Sequence, residues 1–278
     1  MSGPYSASLG SLLLGDFDAD GNHWILYDIE GWHAPGSSGE TTQRTARHGG
    51  WRNRAFYTPR GLTLRGSVVT SVPNVGDILD KLVSAIPLDV PDALTVYGVN
   101  TDDRLIYVRQ EGDPDIRIVS PREASFSIGL VADDPLKYGS IERAESTSLP
   151  SSTGGLSVPF SVPFSIDSVT VSGVAQVDNN GNAATFPRII IYGPVSDARL
   201  TKVATGESLF IDLDIAAGEY LDLDFTAHTA YLNGTASRRG SVSGTWFALD
   251  PGTTFVAFNS PTYSADAAAQ IIWRDAWK

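Results

Sequence analysis

Residues 186–225 read FPRIIIYGPVSDARLTKVATGESLFIDLDIAAGEYLDLDF, and the period of this stretch decides the fold class. Leu209, Ile211, Leu213 and Ile215 alternate with Phe210, Asp212 and Asp214. Past Gly218, Leu221, Leu223 and Phe225 alternate with Tyr220, Asp222 and Asp224. A period of two puts one face of each run in a core and the other in water, which is the signature of half-buried strands. Just beyond, Asn233-Gly234 is a strong hairpin signal, because a type I′ turn needs positive φ at both central positions. Leu249-Asp250-Pro251-Gly252 fits a type II turn that starts at Asp250, with proline setting φ at the second position and glycine accepting positive φ at the third. The C-terminal half is therefore expected to be an antiparallel sandwich or barrel.

Upstream, strand-like runs cover Trp24–Ile29, Leu62–Val69, Leu94–Val99, Leu105–Arg109, Asp115–Val119 and Ala124–Val131. One helix is expected over Val75–Ile86. Asn74 is placed to cap it, Asp77 favours its positive end, Ile78, Leu79, Leu82, Val83 and Ile86 make an apolar stripe, and Pro87 stops it. Gly31–Thr45 is polar and rich in Gly and Ser, a long loop or arm. Residues 144–165 shift to Ser, Pro and Gly and read as a linker. It ends in a tandem Val-Pro-Phe-Ser repeat over Val158–Ser165, expected along a sheet edge. The pattern predicts a mainly β chain of two domains, 1–145 and 146–278.

A chain of 278 residues with 42% hydrophobic content can fill two modest cores. No run approaches the roughly 20 apolar residues of a membrane span, so no membrane insertion is expected. The N-terminus lacks a basic segment ahead of its short Leu12–Leu14 run, which predicts synthesis in the cytoplasm without a signal peptide. The absence of cysteine excludes disulfides and a thiol nucleophile. A net charge of −12 repels phosphate backbones, so direct nucleic-acid binding is not expected.

As an ordered set, the landmarks resemble the siphophage distal tail proteins (Dit) and the phage minor tail proteins around them. The residues that carry the resemblance begin with Gly61-Leu62-Thr63-Leu64-Arg65-Gly66, the helix to Ile86 and Leu94-Thr95-Val96-Tyr97-Gly98. They continue through Val108-Arg109, Phe126-Ser127-Ile128-Gly129-Leu130 and Ala132–Tyr138. The Val-Pro-Phe-Ser repeat, Asn179–Pro187, Gly218-Glu219, Leu232-Asn233-Gly234, Leu249–Gly252 and Trp273–Trp277 complete the series. The resemblance implies a β-rich N-terminal domain that forms a hexameric ring and a galectin-like C-terminal sandwich. It also implies that the ring joins the tail-tube protein to hub and fibre proteins of the tail tip, around a channel for DNA. The alternative reading, from a different class, is a carbohydrate-binding module that grips host cell-wall glycan through the C-terminal sandwich.

Chemical motifs are sparse. Asp16-Phe17-Asp18-Ala19-Asp20-Gly21 matches the start of an EF-hand loop, but Tyr27 stands where the bidentate Glu belongs, and an Asp-rich turn is the expected reading. Asp212 with Asp214, and Asp222 with Asp224, put carboxylates about 7 Å apart on one face, a spacing that glycoside hydrolysis permits. These are also the wet positions of amphipathic strands, where charge is ordinary. The four histidines are scattered, and no nucleophile elbow or phosphate loop is present. No enzyme activity, metal or cofactor is expected. Trp51, Arg52, Arg54, Phe56 and Tyr57 combine the residue types that anchor protein interfaces and are expected at a subunit or partner contact. Trp246 and Phe247 are the residues expected to touch glycan, with one of the pair facing outward.

Overall fold

The computed structural model describes residues 5–153, 169–171 and 173–278. The chain divides into two compact units, Met1–Ser140 with Trp277–Lys278, and Ile141–Ala276. Both are built of antiparallel strands, and the described residues contain one α-helix, Val75–Ala85. The mainly β expectation with one short helix holds.

In the first unit, one sheet runs in the order Leu12–Leu14, Ser6–Leu9, Asp92–Tyr97, Arg104–Gln110, Glu123–Ala132, Arg60–Val69, His23–Glu30. Its centre is the longest pair in the molecule, Glu123↔Val69 through Ala132↔Arg60. The sequence EASFSIGLVA explains why: Ala124, Phe126, Ile128 and Leu130 all point into the core, and the residues between them do not. Trp24, Leu26, Leu64, Val68, Leu94 and Ile106 meet them there. Each such side chain contributes roughly 1.5–3 kcal/mol by leaving water.

The helix closes this core with Val75, Ile78, Leu79 and Leu82. Val83, expected on the same stripe, is 54% exposed, because the buried arc is narrower than the apolar one. Asn74 makes no side-chain bond to the helix backbone; its amide donates to Asp77 instead. Ile86 is already extended at ψ 116°, as the residue before a proline should be.

The second unit is a pair of sheets over one core. Six strands run Arg143–Ser148, Ala268–Trp273, Arg188–Tyr192, Tyr220–Asp224, Thr229–Leu232, Ala236–Ser237. Five run Val174–Asn179, Gly252–Asn259, Ala198–Lys202, Ser208–Ile211, Val242–Gly244. The two alternating runs around Gly218 thus sit in different sheets: Ser208–Ile211 pairs with Ala198–Lys202, and Tyr220–Asp224 pairs with Arg188–Tyr192. Their apolar faces meet in one cluster with Leu200, Ile189, Val256, Phe258 and Ile271. Leu213 lies outside the shorter strand, partly buried against that cluster.

The turns behave as their chemistry demands. Asn233 and Gly234 both have positive φ, 51° and 71°, and Leu232 pairs with Ala236 across them. Part of the expected linker is a strand: Arg143–Ser148 pairs residue for residue with Ala268–Trp273. It carries no apolar alternation because five of its six side chains are exposed at the sheet edge. The tandem repeat Val158–Ser165 lies outside the described residues.

Candidate interaction surfaces

The segment between Gly31 and Arg60 leaves the sheet of the first unit as an arm. Gly31 has φ +83°, and a Cβ there would sit 2.2 Å from the Gly61 carbonyl oxygen, so glycine is required where the arm departs. The arm is a two-stranded ribbon: Ser37↔Tyr57 and Ser38↔Phe56, then Thr41↔Arg52, Thr42↔Trp51 and Gln43↔Gly50. Asn53 N donates to Glu40 O at 3.0 Å, linking the two ladders, and Arg44 N donates to Gly49 O at 3.1 Å, closing the tip. These strands are two or three residues long, too short for any period to announce them.

All five residues expected at a contact are on this ribbon and exposed, Trp51 at 65% and Phe56 at 60%. Arg44 lies over the Trp51 ring at 4.3 Å and Arg54 over Phe56 at 5.2 Å. Arg52, Arg54, Ala55, Phe56, Tyr57 and Ser37 line an open hollow of about 470 Å³. The ribbon also differs in charge from the rest of the chain. Residues 36–58 hold Arg44, Arg47, Arg52 and Arg54 against Glu40 alone, a net +3 within a protein of net −12.

At the arm's root lies a group of three cations, two of them buried, that the sequence did not announce. Arg60, Arg104 and Lys137 each begin a strand. Arg60 and Lys137 are 2% and 3% exposed. Arg60 Nη1 donates to the Trp32 carbonyl at 2.8 Å, and Lys137 Nζ donates to the Trp32 and His33 carbonyls at 3.1 and 3.2 Å. Arg104 lies 4.1 Å over the Trp277 ring. Burial, then the charges of Arg60 and Arg104, push Lys137 down to about 8. Burial also lowers Arg60, against the pull of Asp134. The only earlier signal is a lone Lys within a Pro-Leu-Lys-Tyr run, which is no signal at all.

The two residues expected to grip glycan are placed differently from each other. Phe247 is 1% exposed and packs edge-on against Phe225 at 5.1 Å, in the core. Its ring offers nothing to a ligand, which corrects the expectation for that residue. Trp246 is half-buried, with His228 stacked on it at 5.4 Å and Arg239 over it at 5.2 Å, so its ring already has partners.

Asp18, Asp20, Asp222 and Asp224 all have partners. Asp18 accepts from Asn22 N and Nδ2, Asp20 N and Trp24 Nε1. Burial alone would raise its pKa, but the bonds from Asn22, Trp24 and Asp20 outweigh it and hold the group at about 2. Lys81 pairs with Asp20 and lies 3.5 Å from Asp18. The Asp16–Gly21 segment is therefore a self-capped turn rather than an open cation loop. Asp222 takes Arg188 bidentately at 2.8 and 2.5 Å, and Asp224 caps the turn through Thr226 N and Ala227 N.

Residues 180–277 match the family model of the siphovirus-type tail component, C-terminal domain. Among solved structures, the Dit protein (gp 19.1) of phage SPP1 is similar over 99% of both chains, at a TM-score of 0.69 and 13% identity. It is described there as a paradigm of the hub adsorption apparatus in phages that infect Gram-positive bacteria. Chains of the activated phage p2 baseplate are also similar, with Ca at a TM-score of 0.52 and with Sr at 0.51. Each covers 96% of this chain and 97% of its own, at 10% identity. No curated protein matches the chain. The resemblance to distal tail proteins thus holds by sequence in the C-terminal region and by fold throughout.

Proposed function

From a C-terminal siphovirus-type tail component domain and a distal-tail fold over the whole chain, we propose that this protein is a structural component of a phage tail tip. In this reading it assembles as a hexameric ring between the tail tube and the hub and fibre proteins, leaves a channel for DNA, and catalyses no reaction. The first unit forms the ring and the second, read as a galectin-like sandwich, faces peripheral partners.

The observation that carries self-association is the arm. A two-stranded ribbon has no core of its own and is marginal in water unless something covers it. This one exposes three aromatic rings among arginines, the residue types that dominate interface energetics. Its net +3 is complementary to the acidic remainder of a second copy, so the ribbon serves as a clasp around a ring.

Light scattering and negative-stain images of the purified full chain test the reading. A particle of six subunits with a central hole is the expected result. A protein that stays monomeric alone and also fails to form rings with its tail-tube protein overturns it.

A further inference from the structure

The molecule buries two lysines and treats them in opposite ways. Lys202, 4% exposed, donates to Asp250 at 2.5 Å and to the Ala248 carbonyl at 2.9 Å. Among the described residues, Lys137 has the carbonyl oxygens of Trp32 and His33 and the Trp32 ring 5.4 Å away, and no anion. No side-chain carboxylate forms an ion pair with Lys137 or Arg60 among the described residues. Asp134 acts on Arg60 only at a distance; its two oxygens accept from the Tyr138 hydroxyl at 2.5 Å and Leu136 N at 3.0 Å.

Arg60 shows where the missing partner belongs. Its Nη1 is used on Trp32, while Nε and Nη2 are buried without any partner. Those two atoms are one edge of the guanidinium fork, the side on which a carboxylate makes two parallel bonds. Arg104 Nε, on the strand that pairs with the Lys137 strand, is likewise buried and unpaired. Leaving buried donors unsatisfied costs about 1–3 kcal/mol each, more when they are charged.

We propose that the Nε–Nη2 edge of Arg60, backed by Lys137 and Arg104, is a receptor for one carboxylate presented by a neighbouring protein chain. The edge is closed from solvent, and beside it the Trp32 carbonyl at the arm's root accepts from Arg60 Nη1 while the Trp32 and His33 carbonyls accept from Lys137 Nζ. A carboxylate on this edge competes with the Trp32 and His33 carbonyls for the same two cations, which couples the site to the setting of the arm. The source of the carboxylate rests on the assembly reading, but the test is read on Lys137 in solution and needs no ring.

The full chain has four lysines, so biosynthetic [ε-¹³C]lysine labelling gives four signals to titrate by NMR. The titration is run in sodium acetate and in sodium chloride at matched ionic strength. Acetate is expected to raise the Lys137 midpoint by about one unit or more, a tenfold gain for the charged form, and to leave Lys81 and Lys202 in place. A rise in chloride as protein concentration increases assigns the carboxylate to a second copy. A rise with acetate alone assigns it to a different partner. Lys137 midpoints that are equal in acetate and chloride and do not move with protein concentration overturn the proposal, as does a rise with inorganic phosphate that acetate does not produce. Arg60→Gln should abolish the acetate effect; the wild-type comparison decides the matter even if that variant does not fold.

Discussion

Phe247 and Trp246 are adjacent in sequence and do different things. Phe247→Ala removes a core ring and should cost about 3–5 kcal/mol in a denaturant melt. A loss below about 1 kcal/mol would mean the ring is not packed as described. Asp18 and Lys137 make opposite pH predictions. Asp18 is held at about 2, below its ordinary 3.8, so its contribution is present above about pH 4 and fades as pH falls through 2. Asp18→Ala should cost about 1–3 kcal/mol at pH 7, since Asn22 and Trp24 Nε1 lose their acceptor, and the cost should shrink in acid. Lys137 is depressed from 10.5 to about 8, so between those values the unfolded chain holds the extra proton. The wild type should therefore gain stability relative to Lys137→Met as pH rises from 8 to 10, by on the order of 3 kcal/mol at most. Paired thermal melts check both signs.

At the scale of elements, the arm is the part that contributes least to its own unit. None of its residues between 36 and 57 is buried, so Trp51→Ala with Phe56→Ala should change the melting of the isolated chain by no more than about 0.5 kcal/mol. The same pair should reduce self-association at least tenfold in sedimentation, because interface aromatics are worth about 2 kcal/mol or more each. Equal losses of folding and assembly would show the arm to be structural instead. The Arg143–Ser148 strand makes the contrast. Its side chains are nearly as exposed as those of the arm, but all six of its residues pair with Ala268–Trp273, so its backbone is committed to the sandwich.

For the whole molecule, charge is the relevant quantity. A basic ribbon on an acidic body associates through attractions that salt screens, with a Debye length of about 10 Å at 0.1 M and 3 Å at 1 M. Assembly of the purified chain should therefore weaken as sodium chloride is raised, most steeply below physiological strength. Arg52→Glu with Arg54→Glu should remove that dependence. Assembly that strengthens with salt would point to apolar closure without the charge complement. Light scattering across a salt series separates the two.

The period of two around Gly218 was sufficient to establish strands, their buried faces and the β class, because side-chain alternation is a local property of extended chain. Asn233-Gly234 and the helix before Pro87 were legible for the same reason: their φ requirements are written in single residues. Which sheet each strand joins was not, since Ser208–Ile211 and Tyr220–Asp224 look like hairpin partners and lie in opposite sheets. The interface composition of Trp51–Tyr57 was visible, but its ribbon was not, because pairs as short as Ser37–Ser38 with Phe56–Tyr57 carry no period. The exclusion of Phe247 from any surface, and the meeting of Arg60, Arg104 and Lys137 at one carbonyl-lined site, were decided by tertiary structure alone. Burial and charge pairing are sums over residues far apart in the chain, and no local pattern contains them.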